Sequence, residues 1–101
     1  MTEAEFIERA ETVFDRIEHA LDASDADCSV NQGVLQIEFD DGSRIIVNRH
    51  APNREIWVAA KAGGFHYAWK DGAWRNTRDG SELFETLTKL ISTQAGEDIA
   101  L

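Results

Sequence analysis

Glu8, Glu11, Asp15, Glu18 and Asp22 step through the first quarter of the chain by three, four, three and four residues. Wound as a helix at about 100° per residue, these five carboxylates fall within an arc of about 80°. A ridge of hard oxygen donors can hold a cation or meet a basic protein groove. Asp25 and Asp27 extend it beyond the helix, and His19 stands beside it as a possible further ligand, although a lone histidine on an exposed helix is more often just a polar residue. The plainer explanation is a solvated face that keeps a small protein soluble. Against that stands its cost: like charges at helical spacing oppose an isolated helix by about 0.2–0.5 kcal/mol each, so four such neighbours amount to about 1–2 kcal/mol. Asp22-Ala-Ser-Asp-Ala-Asp27 superficially resembles a calcium loop, but Ala26 holds the fifth position and Asp27 the sixth, where an EF-hand requires glycine.

Trp57 is the second chemical signal. In a strand of period two, Ile56, Val58 and Ala60 point to a core, while Glu55, Trp57, Ala59 and Lys61 point to water. An indole on a wet sheet face asks for a cover, and Trp and Arg are favoured interface anchors. The same alternation predicts Asn48, His66 and Arg75 on that face. A tryptophan packed under the stems of neighbouring side chains is the simpler alternative. Catalysis finds no support: His50 and His66 lie near no evident Ser or Cys partner, Cys28 faces inward with Val30 by alternation, and there is no phosphate loop. The chain is read as a non-enzyme.

Composition narrows the partners. The 101 residues fit one domain, 1–101, and their 19 Asp and Glu against 10 Lys and Arg give a net charge of −9. The imbalance has an address, because residues 1 to 30 hold nine acids and two bases. Nucleic-acid backbones and anionic membranes are repelled by such a surface, whereas cations and basic grooves are drawn to it. One cysteine cannot close an internal disulfide or build a thiol cluster, which fits reducing cytoplasm. The opening Met-Thr-Glu-Ala-Glu has neither the apolar core of a secretory signal nor the character of a transit peptide, and no apolar run approaches the roughly 20 residues that span a bilayer. A soluble, cytoplasmic chain read from its natural start is expected.

The elements that position these residues follow from periodicity. Thr2 and Glu5 form a capping box before Phe6, Ala10, Val13, Phe14, Ile17 and Leu21, the apolar stripe of a first helix. Strands are predicted at Asp27 to Asn31, Val34 to Phe39 and Arg44 to Arg49, then through Ile56, from Phe65 to Lys70, and around Trp74. The turns between them are Gln32-Gly33, Asp41-Gly42, Gly63-Gly64 and Asp71-Gly72. Asp79-Gly80-Ser81 introduces a second helix with the stripe Leu83, Leu87, Leu90 and Ile91, and Gly96 stops it. Single-sided patterns throughout imply an α+β, two-layer α/β sandwich: an antiparallel six-stranded sheet with N- and C-terminal helices on one face.

At Asn48, Pro52, Ile56, Trp57, Ala59, Gly63, Gly64, Tyr67 and Trp69 the sequence resembles the frataxin family, whose sheet carries Asn-x-x-x-Pro-x-x-x-Ile-Trp-Leu-Ala, then Gly-Gly and an aromatic-rich strand. Length, helix-first order and the acidic opening helix are similar to its short bacterial, CyaY-type branch. Val58 stands where that pattern has Leu, and His19 where this branch is often acidic. The resemblance implies weak binding of ferrous or ferric iron along the first helix and the following strand, with no organic cofactor. Its metal set is Glu8, Glu11, Asp15, Glu18, His19, Asp22, Asp25 and Asp27. It also implies docking on the cysteine desulfurase and scaffold machinery of iron–sulfur cluster assembly through Trp57 and Asn48; His66 and Arg75, on the same face by alternation, and Glu18 and Asp22 of the ridge complete the candidate docking set. The expected role is an iron-binding regulator of the desulfurase, monomeric without metal. The rivals are a protein-only regulator with incidental metal binding, and an iron store or ferroxidase, which would need an enclosed site.

Overall fold

A computed structural model describes residues 1–101. Its elements run α1 (Glu3–Leu21), β1 (Asp27–Asn31), β2 (Val34–Glu38), β3 (Arg44–His50), β4 (Glu55–Ala60), β5 (Gly63–Lys70), β6 (Ala73–Asn76) and α2 (Leu83–Ala95). The six strands form one antiparallel meander in the order β1 to β6, as the single-sided patterns require. Neither helix is long and apolar enough to cross a membrane.

The capping box opens α1 as expected: Glu5 N–H donates to Thr2 Oγ1 at 3.1 Å, and Thr2 N–H donates to Glu5 Oε1 at 3.0 Å. α2 starts differently. Its N-cap is Glu82, whose carboxylate accepts from the N–H groups of Phe84 and Glu85 at 2.8 and 3.2 Å. Asp79 instead holds the preceding turn through Ser81. Gly96 ends α2 in the left-handed region at φ 72°, a conformation that an L side chain adopts only with strain.

One core lies between the helical layer and the sheet. Phe6, Ala10, Val13, Phe14, Ile17 and Leu21 from α1 and Leu83, Leu87 and Ile91 from α2 bury against Leu35, Ile37, Ile45, Val47, Ile56, Val58, Tyr67 and Trp74. The tail after α2 joins them. Ile99 is buried, with its N–H and carbonyl both bonded to Ser92 Oγ, and the Leu101 carbonyl accepts from Arg16 of α1 at 2.7 Å. No element covers the other face of the sheet.

Two details of the strands depart from expectation. The β4–β5 turn is Lys61-Ala62, with Gly63 already paired to Ala60 and Gly64 to Ala59. The glycines therefore lie in the first steps of β5, and Gly63 takes a φ of 137° that a side chain would resist. Val30 is 43% exposed although it shares the inward side of β1 with half-buried Cys28, because β1 is an edge strand and the core ends short of its far end.

Candidate functional site

The ridge residues all stand in solvent. Glu8, Glu11, Asp15, Glu18, His19 and Asp22 are exposed along α1, and Asp25 and Asp27 continue the exposed row to β1. The only ion pair among them is His19 Nδ1 to Asp22 Oδ2 at 3.9 Å, between side chains that are almost fully exposed. No three His, Cys, Asp or Glu side chains converge into a group that could enclose an ion. The ridge suits cations held by one or two carboxylates with water completing the shell. Its field is felt nearby: burial, with Glu18 and Asp22 adding, pushes the Cys28 thiol up to about 11. That thiol stays protonated near neutrality and is a poor nucleophile.

Trp57, Asn48, His66 and Arg75 lie on the uncovered side of the sheet. Cross-strand register aligns Asn48, Trp57 and His66 in one row, from β3 through β4 to β5. Opposed residues share a face, so all three side chains rise from the same surface. Trp57 is half-buried there because two imidazoles enclose it. His50 stacks on one side with centroids 3.7 Å apart and planes at 10°, and His66 on the other at 4.3 Å and 8°. Glu55 locks the group: Trp57 Nε1 donates to its Oε1 at 2.8 Å, and His66 Nδ1 lies 3.9 Å from the same oxygen. The indole is thus held in place by a stack and a hydrogen bond within the chain itself.

Arg75 shares that face but stands in the neighbouring row, His50, Glu55, Ala68 and Arg75, with its guanidinium turned toward the Gly80 carbonyl at 3.5 Å. Sequence reasoning put Glu55 on this face but missed its bond to the indole, and it missed His50 altogether. His50 follows from carrying the alternation one step further, since it lies two residues beyond Asn48. Ending β3 at Arg49 removed His50 from the strand.

A frataxin-like domain model matches residues 1–97 of the chain. The iron-sulfur cluster assembly protein CyaY of Dechloromonas aromatica is 54% identical over 104 residues, which cover 100% of this chain and 99% of that protein. Frataxin from Psychromonas ingrahamii superposes with a TM-score of 0.92 at 30% identity, covering 99% of this chain and 97% of that one. Trimeric yeast frataxin complexed with ferrous iron shares the fold alone, with a TM-score of 0.68 at 21% identity over 96% of this chain and 88% of that one. The two helices and six-stranded antiparallel sheet thus have the frataxin fold, and this chain belongs to the frataxin-like family.

Proposed function

We propose that the chain serves iron–sulfur cluster assembly as an accessory protein that carries ferrous or ferric iron loosely on the α1 ridge, docks on cysteine desulfurase and adjusts its rate. The observation that carries this reading is the state of the ridge: its carboxylates stand fully accessible on one helix face, with no Lys or Arg paired to them. Such a row is available both to a hydrated cation and to a basic groove. Iron is cargo in this scheme. The Trp57 stack supplies the contact surface, since a preorganised indole loses little freedom on docking.

A second reading treats metal binding as incidental and the ridge as a docking element only. The absence of any converging donor group favours it. Titrating ferrous iron into the chain and into its mixture with cysteine desulfurase separates the two. Under the first reading iron occupies several weak sites and changes the affinity for the desulfurase; under the second the complex is indifferent to iron. In both, replacing Glu11 and Glu18 by Gln and Asp15 and Asp22 by Asn weakens the complex. A variant of this kind that binds iron and desulfurase like the parent would sink both readings.

A further inference from the structure

Arg9 and Arg16 are the only Lys or Arg residues before Arg44. They lie seven residues apart on α1, about 10 Å along the axis, on a side that belongs neither to the acidic ridge nor to the core stripe. Each guanidinium rests on an aromatic ring. Arg9 Cζ sits 4.5 Å from the Trp69 ring centroid, and Arg16 Cζ 3.9 Å from that of Phe84. Between these two cation–π pairs opens a cavity of about 340 Å³, bounded by α1, the β5–β6 hairpin and the start of α2. Trp69 and Phe84 give it apolar walls, and the core residues Val13 and Trp74 lie beneath them. Trp74 is fixed from behind by edge-to-face contacts with Phe6 and Trp69 at 6.0 and 5.4 Å.

We propose that this seam is a binding site for a small amphipathic anion, an aromatic or similarly flat apolar body bearing one carboxylate or phosphate. The walls match the body and the two guanidiniums match the charge. Contact with the ring restrains each guanidinium and leaves N–H groups available. Arg9 has only the remote Glu5 carboxylate at 4.0 Å, and Arg16 directs one nitrogen to the main-chain oxygen of Leu101, so most of their N–H donors are uncommitted. Glu82 is the only carboxylate in the lining, and its charge is offset by the two N–H groups of α2 that it caps. The Thr12 hydroxyl is turned to the Glu8 carbonyl and does not compete. On a surface of net charge −9 this is a local place where an anion gains two cations and a hydrophobic floor together. The site is separate from the ridge and from the Trp57 face, so it stands or falls apart from the docking role.

Naphthyl phosphate tests it, with naphthol and inorganic phosphate as its apolar and polar halves, read by the indole and backbone N–H signals of the full chain in NMR. The expected result is saturable shifts at Trp69, Trp74 and the Arg9–Arg16 segment, with a Kd on the order of 1 mM or tighter. Binding should be about tenfold tighter than for either half and tenfold weaker in Arg9→Gln/Arg16→Gln, while the Trp57 indole signal does not move. Lysine at both positions should restore part of the affinity, because charge returns without the planar fork. Shifts that are absent, that centre on Trp57, or that persist undiminished in the double Gln variant overturn the proposal. Comparison of the whole ligand with its halves on the parent protein decides the matter even if that variant folds poorly.

Discussion

The ridge of α1 and the Trp57 stack lie on opposite faces of the sheet, and opposite physics builds them. The ridge is a row of like charges on exposed side chains, whose one internal contact is the loose His19–Asp22 pair. It acts at a distance, over a Debye length of about 10 Å at 0.1 M salt. The stack is a set of three rings whose positions are fixed by 3.7 and 4.3 Å contacts and by the bond to Glu55, and it acts only on touch. A surface that gathers partners can therefore be cheap in order and costly in repulsion, whereas a surface that retains them must be ordered beforehand.

The largest expected effect checks that the sheet has two sides at all. Trp74 is 2% exposed in the core, whereas Trp57 stands on the uncovered face. Trp74→Ala should cost about 3–5 kcal/mol of folding free energy, and Trp57→Ala about 1 kcal/mol from lost stacking. At about 4–8 °C per kcal/mol for a domain near 100 residues, thermal melts separate them easily. Equal losses would mean that Trp57 is a core residue.

Next in size is the effect of Trp57→Ala on docking. An anchor of this kind should cost about 2 kcal/mol or more, roughly thirtyfold in Kd, mainly through faster dissociation and with the salt dependence retained. His50→Ala, which removes one wall of the stack without touching the indole, should lose a smaller part of the same effect. Interferometry against cysteine desulfurase at two salt concentrations reads both. A His50→Ala variant with unchanged dissociation would show that preorganisation of the indole does not contribute.

Ridge substitutions should move the opposite quantities. Changing Glu11 and Glu18 to Gln and Asp15 and Asp22 to Asn should slow association, flatten its salt dependence and remove most iron binding. It should also raise folding stability by on the order of 1 kcal/mol as like-charge crowding is relieved. Loss of stability in this variant would contradict the claim that the ridge opposes folding.

Most of this architecture was legible where a local rule had no competitor. The capping box, the α1 stripe and the alternation around Trp57 need only neighbouring residues, and the structure reproduces them. Misreadings arose where the choice depends on distant partners. Gly63-Gly64 carries the stronger turn signal, yet pairing of Ala59 and Ala60 places the reversal at Lys61-Ala62. Edge position, invisible in periodicity, leaves Val30 exposed. The stack around Trp57 required knowing that His50 still belongs to β3 and that Trp57 lies between it and His66, which is register across three strands. The burial of Ile99 likewise depends on where the tail returns after Gly96.

The smallest effect contrasts the ridge with a carboxylate that is engaged. Asp41, in the β2–β3 turn, is held at about 2 by the Ser43 side chain and backbone N–H and, further, by Lys61. Ser43 N–H donates to Oδ1 at 2.8 Å and Lys61 Nζ to Oδ2 at 3.3 Å. Gln94 of α2 extends the link, accepting from Lys61 N–H and donating to Ser43 Oγ, so this turn, the β4–β5 turn and the second helix are tied at one point. Because the folded pKa lies below the unfolded value near 3.8, the stabilisation is fully present above about pH 4 and is lost as pH falls through about 2. Asp41→Asn should lower the urea midpoint slightly at pH 5, and the gap from the parent protein should close between about pH 4 and pH 2. Glu5, held low by Thr2, and Asp79, held low by Ser81, keep their own acid dependence in the variant, so the slope should diminish without vanishing. Midpoints that run parallel down to pH 2 would show that the turn's bonds do not distinguish the charged carboxylate from the amide.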